Sequence, residues 1–323
     1  MKHMKFLSFF LGIAFAIIAC SSNNETIPAP EVDPDGDDGT TEVEFAKGAD
    51  IGWVTEYESK GYNFYNAKGE QRECTALMKE LGLDAIRIRV WVDPSKHGNW
   101  CNTADVVEKA KRAKELGMDV MIDFHYSDWW ADPAQQNKPA SWVGKNLVNL
   151  KSAIKDHTVS VLQALKEIGV IPKWVQVGNE IRPGMLWDED VALSGASYNV
   201  TEKDLKDALA SATDKVVYPM NWANLGAFVT TGYDAVKSVF PDAIVIVHLD
   251  NGWDSGLFTW FFDELKKNGG KWDMIGMSLY PYWSRDAKEG YSSADAVITD
   301  CISNIKALST KYNCDVMVVE TGM

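Results

Sequence analysis

The 323-residue sequence has fewer basic than acidic residues, few histidines, no Cys-x-x-Cys pair and no glycine-rich phosphate-binding loop. Its 32 lysines and arginines stand against 46 aspartates and glutamates, so the formal net charge is −14. This excess opposes binding to a nucleic-acid backbone and disfavours acidic polysaccharides as the main ligand. Five histidines and no Cys-x-x-Cys pair give no pattern of a metal site. No glycine-rich loop follows the first strand pattern, which leaves a dinucleotide-binding fold without support.

The first 20 residues have the pattern of an export signal. Lys2 and Lys5 precede an almost wholly apolar run over residues 6–19, which is too short to cross a bilayer. The run ends in Ile-Ile-Ala before Cys20 and two serines, which resembles the bacterial lipobox, where the signal is removed and the cysteine lipidated. We predict a signal peptide over residues 1–19 and a lipoprotein anchored through Cys20 at the bacterial outer membrane or cell surface. A plain secretory signal with a chance cysteine is the alternative.

Residues 20–45 have the composition of a flexible acidic tether. They are rich in Ser, Asn, Pro, Asp and Gly and have almost no large apolar side chains. Four carboxylates fall at positions 1, 3, 5 and 12 of a calcium-loop pattern, namely Asp33, Asp35, Asp37 and Glu44. Pro34 interrupts that pattern, and Asp38 stands where it needs glycine. We interpret the segment as a solvated linker, with calcium binding as the alternative, and expect no other cofactor.

Four cysteines follow the tether, and export makes disulfide bonds between them possible. They are Cys74, Cys101, Cys301 and Cys314. Four cysteines allow three pairings, and the sequence does not choose among them.

From residue 48 onward the sequence alternates between strand and helix patterns. Apolar runs of strand length occur at 48–53, 85–92, 119–126, 173–180, 243–249, 272–280 and 315–320. Helix patterns lie between them at 75–81, 103–116, 147–168, 204–217, 234–240, 256–267 and 293–312, with Thr103 as the predicted cap of the second. Repeated strand–helix units with parallel-type strands indicate an α/β fold.

Polar and aromatic side chains collect at the C-terminal ends of these strand patterns. They are Arg87, Arg89, Trp91, Asp123, His125, Tyr126, Asn179, Glu180, His248, Asp250, Tyr280, Trp283 and Glu320. A barrel brings the C-terminal ends of all its strands to one face, whereas an open sheet spreads them along an edge. We therefore predict a (β/α)8 TIM barrel as the catalytic domain, over residues 46–323. Seven strand patterns are present, so we expect a barrel truncated after strand seven, with its C-terminal unit missing and its end strands unpaired.

Two of the strand patterns finish on a glutamate. The runs Trp174–Glu180 and Val316–Glu320 are mainly apolar, and each ends on a glutamate. A carboxylate buried at such a position needs a partner or a raised pKa. Two carboxyl groups at one barrel mouth are what a glycoside hydrolase requires, one as acid/base and one as nucleophile.

The stretch Asp123–Pro133, which reads DFHYSDWWADP, resembles the strand-three signature of glycoside hydrolase family 53. These enzymes are endo-β-1,4-galactanases of the clan of retaining (β/α)8 glycosidases. The likeness runs from about residue 46 to the end of the sequence. Further matches are Gly48-Ala49-Asp50, Arg87-Ile88-Arg89-Val90-Trp91, Gly178-Asn179-Glu180, His248-Leu249-Asp250-Asn251, the run from Gly276 to Trp283, and Glu320-Thr321-Gly322. The sequence departs from the family pattern because it shows no eighth strand, which in the family supplies a tryptophan-bearing segment to the cleft.

The resemblance implies double displacement, with Glu180 as general acid/base and Glu320 as nucleophile. The two carboxyl groups of a retaining enzyme lie about 5–5.5 Å apart. Arg87 occupies an apolar strand pattern, where an unpaired guanidinium would be costly, so we expect it to pair with Glu320. Tyr280 is expected to donate a hydrogen bond to the same carboxylate, and Asn179 to the sugar 2-OH.

Thirteen tryptophans supply flat faces for stacking on sugar rings, although aromatic side chains also fill cores. The candidate platforms are Trp91, Trp129, Trp130, Trp187 and Trp283, and the candidate polar cleft residues are His125, Asp128 and His248. Trp53, Trp174 and Trp272 are expected to pack in or against the barrel.

The predicted function is hydrolysis of β-1,4-galactan or arabinogalactan by a monomer whose partners are its polysaccharide substrate and, through the lipid anchor, the membrane. Another retaining glycanase, such as a mannanase or glucanase, is one alternative. A tethered glycan-binding protein without turnover is the other, and the intact pair of glutamates argues against it.

Overall fold

Seven parallel strands form one sheet in the computed structural model, which describes residues 45–133, 135–182, 184–187, 221–287 and 293–322. In chain order the strands are β1 (Gly48–Asp50), β2 (Phe64–Tyr65), β3 (Gln71–Arg72), β4 (Ala85–Val90), β5 (Asp119–Phe124), β6 (Trp174–Val177), β7 (Ile244–Leu249), β8 (Met274–Leu279) and β9 (Asp315–Thr321). β2 and β3 form a separate antiparallel hairpin, and the other seven pair in the order β1-β4-β5-β6-β7-β8-β9. This arrangement is a nearly closed (β/α) barrel, so the predicted fold class is confirmed.

The helices of the described residues lie on the connections between the strands. They are α1 (Val54–Ser59), α2 (Cys74–Glu80), α3 (Thr103–Glu115), α4 (Leu147–Glu167), α5 (Trp222–Val239), α6 (Ser255–Lys267), α7 (Pro281–Ala287) and α8 (Ala294–Tyr312). Among the helices so described, none is long and apolar enough to cross a membrane. Residues 1–44, with the predicted signal, Cys20 and the calcium pattern, lie outside the described residues, as does the helix predicted over 204–217.

Three elements were not predicted, namely α1, the β2–β3 hairpin and α7. α1 has six residues and buries Val54 alone, so it shows no helical periodicity. The cap predicted at Thr103 is wrong by one residue, because Asn102 accepts the hydrogen bond from the Asp105 N–H at 3.0 Å. The helix predicted over 234–240 is the last part of the longer α5.

Successive side chains of the barrel strands alternate between two apolar layers, because neighbours on a strand point to opposite faces. On β4, Ile86 and Ile88 are fully buried in the main core between sheet and helices. A smaller inner cluster consists of Ala85, Met121, Trp174, Ile246 and Met274. These inner residues sit toward the N-terminal ends of their strands, so polar side chains line the barrel beyond them. Trp53 and Trp272 pack against the main core and Trp174 lies in the inner cluster, as predicted.

The four cysteines expected to be available for disulfides all carry free thiols. The Cys101 thiol donates to the Gly52 carbonyl at 3.3 Å, and the Cys301 thiol contacts the Met277 sulfur at 3.5 Å. These buried thiols therefore pack as small apolar side chains.

His157 on α4 is half-buried, and its ring Nε2 is enclosed without a hydrogen-bond partner. Its ring packs edge-on against Phe124, Tyr126 and Trp142, with centroids 5.6, 6.3 and 6.4 Å away. Burial lowers the pKa of His157 from 6.5 to about 4. Between these two pH values the unfolded chain takes up a proton that the folded chain refuses, so the folded state loses stability as the pH falls through this window.

Replacing His157 by phenylalanine should therefore make the fold less sensitive to acid. Between pH 7 and pH 5 the free energy of unfolding of the wild type should fall by about 2 kcal/mol more than that of His157→Phe. Urea unfolding at the two pH values measures this difference. The exposed Val148 on the same helix provides a control, since Val148→Ala removes no titrating group and should lose as much stability as the wild type. Equal losses in wild type and His157→Phe would contradict the prediction.

Candidate active site

Glu180 lies just beyond the C-terminal end of β6, in a turn of unusual backbone conformation. Gly178 has a φ of 84° and Glu180 a φ of 47°. Glycine adopts the left-handed region freely, whereas for other residues it costs roughly 1–2 kcal/mol. A Cβ on Gly178 would also lie 2.5 Å from the Ile181 side chain. This turn interrupts strand alternation, so the side chains of both Asn179 and Glu180 reach barrel residues.

A β-bulge in β9 places Glu320 on the inside of the barrel. Met277 pairs with Val318 and Ser278 pairs with Glu320, which leaves Val319 as an extra residue. Val319 packs against the inner apolar cluster, and regular alternation would turn the next side chain outward. Because of the bulge, Glu320 instead faces inward opposite Ser278.

Glu320 is held by a cation and a hydroxyl donor. Arg87 Nη1 lies 3.2 Å from Glu320 Oε2, and the Tyr280 hydroxyl donates to Oε1, so both predicted contacts are confirmed. The same guanidinium lies 2.9 Å from Asp50 and 2.9 Å from Asp123. These contacts hold the Glu320 carboxyl group in one orientation inside the barrel, as a nucleophile requires.

Glu180 is in a different environment, because its nearest hydrogen-bond partner is neutral. Its residue is 9% exposed, and the Ser278 hydroxyl donates to Oε1 at 2.6 Å. Burial raises the pKa of Glu180 well above its ordinary value, and the negative charges of Glu320 and Asp250 raise it further. One barrel mouth thus holds a protonatable acid beside an ion-paired carboxylate, the division of roles that glycoside hydrolysis needs. The separation of about 5–5.5 Å between the two carboxyl groups stays a prediction.

The side-chain amide of Asn179 makes hydrogen bonds within the protein through both its oxygen and its nitrogen. Its Oδ1 accepts hydrogen bonds from Arg87 Nη2 at 2.9 Å and Gln176 Nε2 at 3.0 Å. Its Nδ2 donates to the Ala131 carbonyl at 2.8 Å. The amide is therefore fixed in one orientation beside Glu180, and its hydrogen bond to a sugar 2-OH remains a prediction.

The three predicted polar cleft residues direct their hydrogen bonds to the protein itself. His125 bonds Asp123 at 2.9 Å through Nε2 and accepts the Ala131 N–H at 3.0 Å through Nδ1. Asp128 accepts two backbone N–H groups, at 2.9 and 2.8 Å, from the loops that follow β4 and β5. His248 is completely buried. The structure thus gives these side chains supporting contacts, and their contact with a substrate stays a prediction.

The candidate stacking residues divide by exposure. Trp129, Trp130 and Trp283 are 37, 39 and 48% exposed, so each presents surface to solvent. Trp91 is 3% exposed and lies beneath Trp129, with ring centroids 4.5 Å apart. Trp187 is 2% exposed. Trp91 and Trp187 therefore pack in the protein, which corrects their assignment as platforms: Trp91 is a support for the exposed ring above it.

Three polar residues of the site were not identified from the sequence, namely Asp50, Gln176 and Ser278. Gln176 is fully buried and bonds Asp123 at 2.6 Å. Although burial opposes it, the charges of Arg89 and Arg87 hold the pKa of Asp50 below its ordinary value. The sequence signal that could have identified these three residues is a polar residue at an inward position of an otherwise apolar strand.

Removing the Tyr280 hydroxyl tests the surroundings of Glu320. Tyr280→Phe should lower kcat on a polysaccharide substrate roughly 10- to 100-fold, because a hydrogen bond to a charged group contributes about 1.5–3 kcal/mol. Steady-state kinetics measure this loss, with the exposed Tyr65→Phe as control. An unchanged kcat in Tyr280→Phe would show that this hydroxyl does not assist the reaction.

The described residues contain no group of three or more His, Cys, Asp or Glu side chains that could hold a metal ion.

Comparison with known proteins yields matches over nearly the whole described region. The family model described as Glycosyl hydrolase family 53 matches residues 46–323. An arabinogalactan endo-beta-1,4-galactanase of Thermothelomyces thermophilus is 31% identical over 282 residues, covering 85% of this chain and 73% of its own. An uncharacterized protein of Niallia circulans is 36% identical over 281 residues, covering 87% of this chain and 68% of its own. A solved structure of fungal β-1,4-galactanases has a TM-score of 0.70 and 30% identity, covering 85% of this chain and 73% of that one.

Proposed function

The chain belongs to glycosyl hydrolase family 53, and from this premise we propose that it is an endo-acting, retaining β-1,4-galactanase. Its substrates are galactan and the arabinogalactan side chains of pectin. The observation that carries the proposal is the contrast between its two glutamates. Glu180 is buried with a raised pKa, whereas Glu320 is paired with Arg87. Similarity to a Thermothelomyces thermophilus galactanase supports the choice of substrate.

The first chemical step forms a covalent galactosyl-enzyme. The carboxylate of Glu320 attacks the anomeric carbon while Glu180 gives its proton to the leaving glycosidic oxygen, so the glycosidic bond breaks and an ester to Glu320 forms. In the second step Glu180, now a carboxylate, takes a proton from water, and the water oxygen displaces Glu320 from the anomeric carbon. Two displacements at one carbon retain its configuration.

Product analysis tests the proposed substrate and mechanism. The full chain should release short galacto-oligosaccharides from β-1,4-galactan, with the β-anomer appearing first by proton NMR, and should leave mannan and cellulose intact. Faster hydrolysis of mannan or cellulose would make it a different glycanase of the same clan. Affinity for galactan without product would make it a binding protein, and first appearance of the α-anomer would overturn retention.

We further propose that the chain is a monomeric lipoprotein held at the bacterial outer membrane through Cys20. The support is the lipobox-like sequence and the acidic tether that follows it. In cells producing the full chain, galactanase activity should sediment with the membranes, and the protein should incorporate labelled palmitate. Cys20→Ala should abolish the labelling. Equal membrane retention and labelling of both forms would contradict the anchor.

A further inference from the structure

The residue opposite Glu320 in the sheet is also the hydrogen-bond partner of Glu180. Ser278 is 1% exposed, pairs in register with Glu320, and donates to Glu180 Oε1 at 2.6 Å. Its Oγ also lies 2.8 Å from His248 Nε2. A serine hydroxyl has one proton to donate, so the direction of these two bonds is decided by the state of the histidine.

His248 carries one ring proton, because burial first, and then the nearby charge of Arg87, lowers the pKa of His248 well below its ordinary value. The proton could sit on Nδ1 and point at Asn179 Oδ1, 3.0 Å away. Arg87 already donates to that oxygen at 2.9 Å, and the Gln176 amide lies 3.0 Å from it. Two donors also face Nδ1 itself, the Gln176 amide at 3.0 Å and the Glu180 backbone N–H at 3.4 Å, so Nδ1 accepts. The ring proton is then on Nε2.

A one-way circuit of hydrogen bonds follows from this tautomer. The Glu180 N–H donates to His248 Nδ1, the His248 Nε2–H donates to Ser278 Oγ, and the Ser278 O–H donates to Glu180 Oε1. The circuit begins at the backbone N–H of Glu180 and ends at the carboxyl oxygen Oε1 of the same residue. The left-handed conformation of Glu180, with φ 47°, sets the angle between this N–H and the side chain of the same residue.

We propose that Ser278 and His248 are positioning residues that reserve Glu180 Oε1 as an acceptor, so that the catalytic proton is carried on Oε2. This inference rests on the proposed function of Glu180 as acid/base. A proton on Oε1 would point at a hydroxyl that already donates to it. With Oε1 occupied, the acid presents its proton from the other oxygen, and the carboxylate formed in the first step keeps its hydrogen bond from Ser278.

The charged and titratable groups that face Glu180 fix the direction of the expected pH effect. They are Glu320 on β9, Asp250 after β7, Asp132 after β5, Tyr280 after β8 and His248 on β7. The three carboxylates favour the protonated acid, whereas the Ser278 hydroxyl favours its carboxylate. Removing the hydroxyl should therefore raise the pKa of Glu180 and move the basic limb of the pH–rate profile upward.

The test compares Ser278→Ala, Ser278→Thr and the control Met277→Leu, which changes a buried residue on the opposite face of β8. Ser278→Ala should lower kcat on galactan about tenfold, leave KM within about twofold, and move the basic limb up by about one pH unit. Ser278→Thr, which keeps the hydroxyl, should restore the limb, and Met277→Leu should leave it in place. Should the alanine variant not fold, Ser278→Cys, a weaker donor of similar size, should move the limb in the same direction by less.

A basic limb that stays in place or moves down in a folded Ser278→Ala or Ser278→Cys variant would overturn the proposal. NMR titration of ¹³C-labelled glutamate carboxyls reads the pKa of Glu180 without any substrate. The titration therefore separates the positioning role of Ser278 from the proposed galactanase function. If the wild type does not cleave galactan, the proposed function fails. The positioning role is still judged by whether Ser278→Ala raises the pKa of Glu180.

Discussion

Replacing Glu320 by alanine should abolish hydrolysis of galactan, with kcat falling roughly 10⁴-fold or more, the scale seen when a residue that takes part directly in bond making is removed. Glu320 faces the barrel interior, with Arg87 at 3.2 Å and the Tyr280 hydroxyl on its carboxylate. Rates measured with an activated aryl β-galactoside and with galactan should both collapse, because both need the covalent step.

External azide distinguishes loss of the nucleophile from loss of the fold. In the space left by Glu320→Ala, azide should attack the anomeric carbon of an activated substrate and yield the α-galactosyl azide, the product of a single displacement. Glu115→Ala, which alters an exposed glutamate on α3, should keep wild-type rates. A Glu320→Ala variant with wild-type activity would overturn the assignment of the nucleophile.

Replacing Glu180 by glutamine should have an effect that depends on the leaving group. With galactan, whose leaving oxygen needs a proton, the rate should fall about 10²- to 10⁴-fold, the usual contribution of general acid catalysis. With a dinitrophenyl β-galactoside, which leaves as a stable anion, formation of the galactosyl-enzyme should change little. Pre-steady-state release of dinitrophenol measures that step alone.

The pH–rate profile of the wild type also tests whether Glu180 is the general acid. The acid form of Glu180 is the active one, so the rate on galactan should fall as the pH rises through the pKa of Glu180, which burial and the charges of Glu320 and Asp250 raise above the ordinary 4.5. Glu180→Gln does not titrate and should lose this basic limb. Retention of the limb in the variant would assign it to another group.

The sequence was sufficient to predict the barrel, because apolar runs with polar ends recur at the spacing of strand–helix units. It also predicted the pairing of Arg87 with Glu320, since a guanidinium inside an apolar strand needs an anion. It could not predict the orientation of Glu320. Simple alternation from Val319 turns that side chain away from the cleft, and the bulge that corrects it is visible only as a register shift against β8.

Ser278 was missed for a related reason. A serine in a strand is unremarkable by itself, and its role depends on which residues of the neighbouring β7 and of the turn after β6 lie close to it. Trp91 shows the opposite error, because a tryptophan at a strand end suggests a platform, while a second ring 4.5 Å away covers it. Contacts between distant segments decide both cases, and periodicity along one segment carries no information about them.

The charge of Glu320 also makes the pKa of Glu180 change during the catalytic cycle. After burial, the negative charge of Glu320 is the largest influence that raises the pKa of Glu180, and this charge disappears when Glu320 becomes a galactosyl ester. The pKa of Glu180 should then fall, so the group becomes a base at the moment the second step needs one, and recovers as an acid when the ester is cleaved. Each half-reaction thereby resets the catalyst for the next. A ¹³C titration of Glu180 in an enzyme trapped with a 2-fluoro-galactoside should give a lower pKa than in the free enzyme. An unchanged pKa would contradict this alternation of Glu180 between acid and base.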